Sequence, residues 1–365
     1  MTDNERLILD LIRQNPFISQ QDLADKVALS RPAVANIISA LVKKNFLLGK
    51  AYILNERNSV ICIGAANLDR KIKTEAELQG YTSNPITSTV SIGGVARNVA
   101  ENLGRLEQDV IFISAVGNDP EWARIKAFSS PFMNTEGVIV MEDQSTGCYT
   151  ALLDKEGEMY LGLADMSIYD HFTAECLIKK QAFLHKAKCI VVDLNCPKET
   201  LEFLCAYAQK QQIKLAVIAV SEPKMTHLPK QLAGVDCLFI NKGELAAFTE
   251  KILDTEEALR AAINEVLQMG VNKIILTSGA KGILLASGKY YKWYPVKAVA
   301  SDKIIDVTGA GDSFSAAFID AWLENKTEDE CVLAGMTNAY HTIQSEFTVR
   351  PNLTKNQLEI EMETY

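Results

Sequence analysis

The 365-residue chain has no run of 18 apolar residues, so a membrane-spanning helix is not expected. It has four histidines and no Cys-x-x-Cys among its eight cysteines, which argues against a structural zinc site. The cysteines lie at 62, 148, 176, 189, 196, 205, 237 and 331, and several sit in apolar, strand-like runs. That placement suits reduced thiols, and a chain this long needs no disulfide scaffold to bury a core. Twenty glycines and ten prolines are too few for a fibrous or broadly disordered chain. The opening MTDNERLILD has no basic stretch leading into an apolar core, so a cytoplasmic protein with no membrane partner is expected. No GxxxxGK[ST] string occurs, which excludes a Walker A loop.

Basic charge is scarce overall, and the net charge is −9. Residues 1–58 nevertheless hold eight basic and six acidic residues, so the rest of the chain carries −11. By bulk charge the large part is a poor nucleic-acid binder, and the small head is the better candidate. The head reads as three helices and a hairpin. Leu7, Ile8, Leu11 and Ile12 recur at helical spacing, and Asn15-Pro16 ends that helix. Ser19 is placed to cap a second helix with Leu23, Ala24 and Val27 inward. Ser30 is placed to cap a third, with Pro32 in its first turn and Val34, Ile37, Ile38, Leu41 and Val42 at 3–4 spacing. FLLGKAYIL (46–54) then alternates around Gly49-Lys50 as a hairpin would. The pattern describes a winged helix-turn-helix over 1–58, with Ser30, Arg31 and Asn36 as DNA contacts. A dimerisation or packing module is the alternative. A homodimer would double the phosphate contacts.

From Val60 the pattern changes to α/β. VICIGA, VIFISAVG (110–117), KCIVVDLN, LAVIAV, CLFIN and KIILTSG are short apolar strands separated by helical stretches, the signature of a mostly parallel sheet covered on both faces. TGCYTALLDKEGEMYLGLA (146–164) instead reads as an antiparallel hairpin. With residues near 68–92 it is expected to form a small β-sheet lid on the α/β domain spanning 59–365.

Three small residues in DVTGAGDSF (306–314), Gly309, Ala310 and Gly311, turn sharply into a helix and expose backbone N–H groups, with Asp312 alongside. Amides and a carboxylate there suit phosphoryl transfer: the amides stabilise the moving phosphoryl charge and the carboxylate takes a hydroxyl proton. The bland alternative is a Gly-rich helix start. Gly93-Gly94-Val95-Ala96-Arg97-Asn98 allows close approach of backbone to ligand, with Asn98 offering donor and acceptor to vicinal hydroxyls. Asp69 follows the first strand, at the end where α/β sheets bind ligands. Asn241-Lys242-Gly243-Glu244 and Thr277-Ser278-Gly279-Ala280-Lys281-Gly282 follow two further strands; the first suits hydrated magnesium or phosphate, the second a nucleotide edge.

The order GGVARN, NKGE, TSGAKG, DVTGAGD resembles the ribokinase-like (PfkB) family of carbohydrate and nucleoside kinases over about 60–350. GGVARNVAENLGRL, VGND, TGCYTALLDKEGEMYLGLADM, VVDLN and TIQSEFTVRPNL are similar to strings of its pseudouridine kinase branch. The resemblance implies an enzyme that uses ATP and Mg2+, with a monovalent cation such as K+ as a further candidate, to phosphorylate a primary hydroxyl. It implies Asp312 as catalytic base, Gly309, Ala310 and Gly311 as anion hole, and Asp69, Gly93, Gly94, Arg97 and Asn98 on the substrate. Asn241, Thr277, Gly279 and Gly282 would bind nucleotide, and Glu244 magnesium. For this branch the expected reaction makes pseudouridine 5′-phosphate. Another nucleoside or simple sugar as acceptor, or a sugar-responsive regulator that kept the fold, are the alternatives; an intact GAGD argues against the last.

Overall fold

The computed structural model describes residues 2–15, 17–44, 46–47 and 57–365. It divides into two compact units, one of residues up to Arg57 together with Leu177–Lys186, the other of Asn58–Cys176 and Ala187–Tyr365.

In the first unit the helices are α1 (Asp3–Gln14), α2 (Gln20–Lys26) and α3 (Arg31–Lys43). Ser19 and Ser30 each accept a backbone N–H three residues on, from Asp22 and Ala33, and so cap α2 and α3. Ile8, Leu23, Ala24, Val34, Ile38 and Leu41 form the core. Leu7, expected inward, is 47% exposed, while Leu9 is buried. On the buried side of the same helix, Glu5 caps with Thr2 and pairs with Lys44 at 2.7 Å. The hairpin expected over 46–54 lies outside the described residues apart from Phe46 and Leu47.

The second unit carries, in chain order, β1 (Ser59–Ile63), β2 (Asn67–Thr74), β3 (Ile86–Gly93), β4 (Val110–Ile113), β5 (Ala115–Gly117), β6 (Ile139–Met141) and β7 (Cys148–Leu153). It continues with β8 (Met159–Asp165), β9 (Ala187–Asp193), β10 (Lys214–Ile218), β11 (Cys237–Asn241), β12 (Lys273–Thr277), β13 (Ile283–Ser287) and β14 (Tyr290–Tyr294). Its helices include α4 (Val95–Arg105) and α5 (Pro120–Ser129). The short α6 (Ala174–Lys179) begins in this unit and enters the first at Leu177, α7 (Gln181–Leu184) lies in the first, and the chain is back in the second unit from Ala187. Then come α8 (Lys198–Gln211), α9 (Lys242–Thr249), α10 (Glu256–Gln268), α11 (Ala310–Leu323), α12 (Glu328–Thr342) and α13 (Lys355–Thr364).

The main sheet has eight strands in the order β14-β13-β12-β11-β10-β9-β1-β4. It is parallel from β4 to β12 and turns antiparallel at β13 and β14. Both faces of the parallel part are covered, so β1 is buried at every residue and its sequence is apolar without alternation. Val60, Cys62, Phe112, Cys189, Val191 and Phe239 pack towards Val99, Leu103, Phe314 and Phe318 of α4 and α11. This is the ribokinase-like α/β fold. The run 110–117 does not form one strand. It breaks at Ser114, and β5 leaves the main sheet to pair with β6.

A separate four-stranded sheet, β3-β2-β7-β8, joins the hairpin of 148–165 to β2 and to β3, which ends at the Gly-Gly turn into α4. Asp119 ties its base to α5: it caps the helix through the Trp122 N–H (2.8 Å) and accepts from the Thr146 N–H and hydroxyl (both 2.7 Å). Trp122 itself is packed into the core. Among the described residues no helix is long and apolar enough to cross a membrane.

Candidate active site

The chain arrives at the carboxyl ends of β1, β9, β11 and β12 with its chemistry-bearing residues, and the floor of the site is fixed by one carboxylate. Asp193, fully buried, accepts N–H groups from Ala65 (3.0 Å), Ala96 (2.9 Å) and Asn195 (2.9 Å). It thereby binds the turn after β1, the start of α4 and the end of β9 to one another. Burial pushes its carboxyl above the usual range even against those three donors. Gly64 lies directly against it, where any Cβ would overlap the carboxylate.

Gly94 caps α4 at φ +99°, and a Cβ there would run into the Ala65 carbonyl, so glycine is required both for conformation and for approach. Gly93 lies against Asp69, which accepts from the Asn67 side chain. Burial raises the Asp69 carboxyl to about 6, against the pull of Asn67, Lys71 and Arg97. Asn98, one turn into α4, donates from Nδ2 to Oδ2 of Asp312 at 2.8 Å, bringing together residues 214 apart in sequence.

Asp312 stands in the first turn of α11. The cap, Gly309 at φ +81°, supplies no side-chain acceptor, so the first-turn N–H groups beside Gly311 are left available to an anion. Desolvation raises the Asp312 carboxyl to about 7. The Asn98 hydrogen bond and Arg97 oppose the rise, while Asp193 and Asp69 add to it. A carboxylate poised near neutrality is suited to accept a proton. The approach to the loop is held by Asp306, whose Oδ1 takes the Thr308 N–H (2.9 Å) and hydroxyl (2.6 Å), and whose Oδ2 takes Lys71 of β2 at 2.6 Å. Burial works against ionisation of Asp306, but Lys71 and Thr308 outweigh it and hold the carboxyl below its ordinary value.

Beside the loop opens an apolar cleft of about 510 Å³, walled by Thr277, Gly279, Val307, Gly311, Tyr340 and Tyr365 among others. Tyr340 and Tyr365 meet edge to face at 5.6 Å, and the Lys297 N–H donates to the Tyr365 hydroxyl at 3.1 Å. An apolar slot adjoining an uncapped helix N-terminus suits a flat apolar group that carries an anion.

Residues 57–355 match the family model described as pfkB family carbohydrate kinase, and residues 1–47 match that of a winged helix-turn-helix DNA-binding domain. The chain belongs to the pfkB family of carbohydrate kinases. An uncharacterized sugar kinase of Escherichia coli K12, YeiI, is 28% identical over 325 residues, 89% of each chain. Pseudouridine kinase of the same organism is 28% identical over 304 residues, 82% of this chain and 95% of that one. Among solved structures, a carbohydrate kinase from Agrobacterium tumefaciens has a TM-score of 0.71 at 28% identity, covering 84% of this chain and 97% of the other.

In this pfkB-family kinase the structure joins Asn98 to Asp312, sets Gly93 against Asp69 and Gly94 against Ala65, and places Thr277, Gly279, Ala310 and Gly311 on the wall of the apolar cleft. Other expected site residues have structural partners of their own. Gly282, expected at the nucleotide, is a turn glycine at φ +115° whose missing Cβ lets the chain pass the Tyr294 carbonyl. Arg97, expected on the substrate, is 1% exposed and engaged with Ser129, Asn98 and Glu101. Asn241 and Glu244, expected at phosphate and magnesium, form a reciprocal capping box at the start of α9, with bonds of 2.7 and 2.8 Å. The aromatic wall of Tyr340 and Tyr365 was not marked by any sequence motif; only the helical spacing of Met336, Tyr340 and Ile343 points to it.

Proposed function

We propose that this kinase transfers the terminal phosphoryl group of ATP to the 5′-hydroxyl of pseudouridine. The observation that carries the chemistry is the Asp312 carboxylate, raised to about 7 and held by Asn98 at an uncapped helix N-terminus. The nucleotide base enters the apolar cleft and its phosphates meet the first turn of α11. The sugar lies under the small sheet, with Asp69 and Asn98 on its ring hydroxyls. The 5′-oxygen attacks the terminal phosphorus, the bond to the bridging oxygen breaks, ADP leaves, and the hydroxyl proton passes to Asp312. The Gly311 and Asp312 amides neutralise the equatorial oxygens as charge moves. The small sheet excludes water, which would otherwise compete as acceptor.

The donor set fits hydrated magnesium held mainly by nucleotide phosphates. Among the described residues no three His, Cys, Asp or Glu side chains cluster as a metal cage, while Glu222 and Glu244 stand together beside Gly243. Bound with the nucleotide, the ion would be held through water by those two carboxylates and would offset phosphate charge. No step calls on a monovalent cation.

Pseudouridine is favoured over a free sugar by the strings shared with its kinases and by the 28% identity to one of them across most of both chains. Supplied with ATP and a panel of acceptors, the enzyme is expected to consume ATP much faster with pseudouridine than with uridine, ribose or fructose. Preference for a free sugar would remove the nucleoside reading and keep the kinase.

For the head we propose DNA binding through α3, whose exposed Arg31 and Asn36 lie opposite the buried Val34, Ile38 and Leu41. The Ser30 hydroxyl, an acceptor in the cap, keeps its proton for a phosphate. A homodimer would supply two such heads, and the exposed Met159, Tyr160, Leu161 and Leu163 of β8 offer it an apolar face. Full-length protein is expected to retain genomic DNA fragments at low salt, with retention falling steeply as salt rises. Arg31→Glu should abolish retention and leave kinase turnover unchanged; undiminished retention by that variant would sink the proposal.

A further inference from the structure

The buried guanidinium of Arg97 does more than close an ion pair. Its Nη2 meets Glu101, one turn along α4. Its Nε donates to the Ser129 hydroxyl at 3.2 Å, and its Nη1 donates to Oδ1 of Asn98 at 2.9 Å. A Glu101 partner would be served by any cation. The third bond is not part of that pairing: it falls on the residue whose other amide atom touches Asp312. Glu101 is moreover held independently, by Arg105 at 2.9 Å, and Arg105 lies 4.1 Å over the Phe132 ring.

A carboxamide is nearly isosteric end for end, so packing alone does not decide which end of Asn98 faces the carboxylate. A donor does. With Nη1 fixed on Oδ1, the amide nitrogen is the atom left for Asp312; the reversed amide would set its NH2 against a guanidinium and its carbonyl against a carboxylate. We infer that Arg97 is a positioning residue that sets the orientation of the Asn98 amide and, through it, the proton-accepting oxygen of Asp312. This rests on the reading of Asp312 as general base. Arg97 touches no substrate; it acts through Asn98, keeping one oxygen of Asp312 occupied and the other free for the hydroxyl.

The test is a series on the full chain: Arg97→Met, Arg97→Lys, Glu101→Gln and Asp312→Asn, each read for kcat, KM, the acid limb of the kcat profile and Tm. The groups bearing on Asp312 are Asp69 from β2, Asp193 from β9, and Arg97 and Asn98 from α4. Only Arg97 is cationic, so its loss should move the acid limb to higher pH. Arg97→Met should lower kcat about 10–100-fold through the misplaced base, with KM for ATP nearly unchanged. Arg97→Lys keeps the charge without the fork, so its limb should stay near the wild-type position and part of the kcat should return. Glu101→Gln should lower Tm and leave the limb in place. If Arg97→Met loses only Tm, or if Glu101→Gln shifts the limb equally, the positioning role is wrong and Arg97 is an ordinary buried ion-pair member. Should Arg97→Met not fold, Arg97→Lys reads the same limb, and wild-type kcat there overturns the role. Turnover retained by Asp312→Asn would overturn the general base and this role together, whereas turnover lost there with an unmoved limb in Arg97→Met overturns this role alone.

Discussion

Asp312→Asn is expected to fold, to bind nucleotide and to lose turnover by about 10²–10⁴-fold, the range for removal of a positioned acid–base group. The amide keeps the shape but accepts no proton, so the loss falls on kcat with little change in KM. The same variant should melt higher than wild type at and above neutral pH. The folded chain keeps the Asp312 proton up to about pH 7, whereas an unfolded aspartate releases it near its ordinary value of about 3.9. Where the folded state binds more protons, stability falls as pH rises, so wild type loses this contribution between those two values. The variant does not, and the gap in Tm should shrink as pH is lowered towards 4. Thermal melts at pH 5 and 8 beside kcat on the same samples decide it: a helix cap with no catalytic role would leave turnover above about a tenth of wild type.

Gly311→Ala separates folding from catalysis at the neighbouring residue. Nothing lies within 4 Å of a Cβ placed there. The site is in the first turn of α11, where alanine should stabilise the helix by up to about 1 kcal/mol. The space it fills is where phosphate must approach the first-turn amides, so turnover should drop by about 10²–10³-fold, as for loss of an anion-hole donor. Gly309→Ala gives the contrast: at φ +81° and against the Thr348 carbonyl it should lose stability and turnover together. A Gly311→Ala enzyme of normal kcat would move the phosphate elsewhere.

The start of α11 was legible because its demands are local. A helix opening on Gly309-Ala310-Gly311 with Asp312 in its first turn needs small residues and a carboxylate at fixed offsets, and sequence carries offsets well. The parallel sheet was legible for a similar reason, since strands such as β1 are buried on both faces and are apolar from their second residue on. What sequence did not carry are partners set by tertiary approach. Arg97 stands beside Asn98 in the chain, but its role depends on Ser129, 32 residues away, and on Asp312, beyond reach of any local pattern. The Asn241-x-x-Glu244 spacing was visible, yet the same four residues satisfy a capping box and a phosphate motif, and spacing alone does not choose between them. Ser114 breaks a strand that reads as continuous because both halves are equally buried.

The floor of the site is held by Asp193 through backbone amides, with no mobile cation among its partners. Dissolved ions have little purchase on such an arrangement, because amide dipoles cannot exchange with the ionic atmosphere and the carboxylate is out of its reach. Contacts from Arg31 to a polyanion would compete with that atmosphere directly. If the head binds DNA as proposed, a rise in ionic strength that releases it would leave the floor held by Asp193 intact.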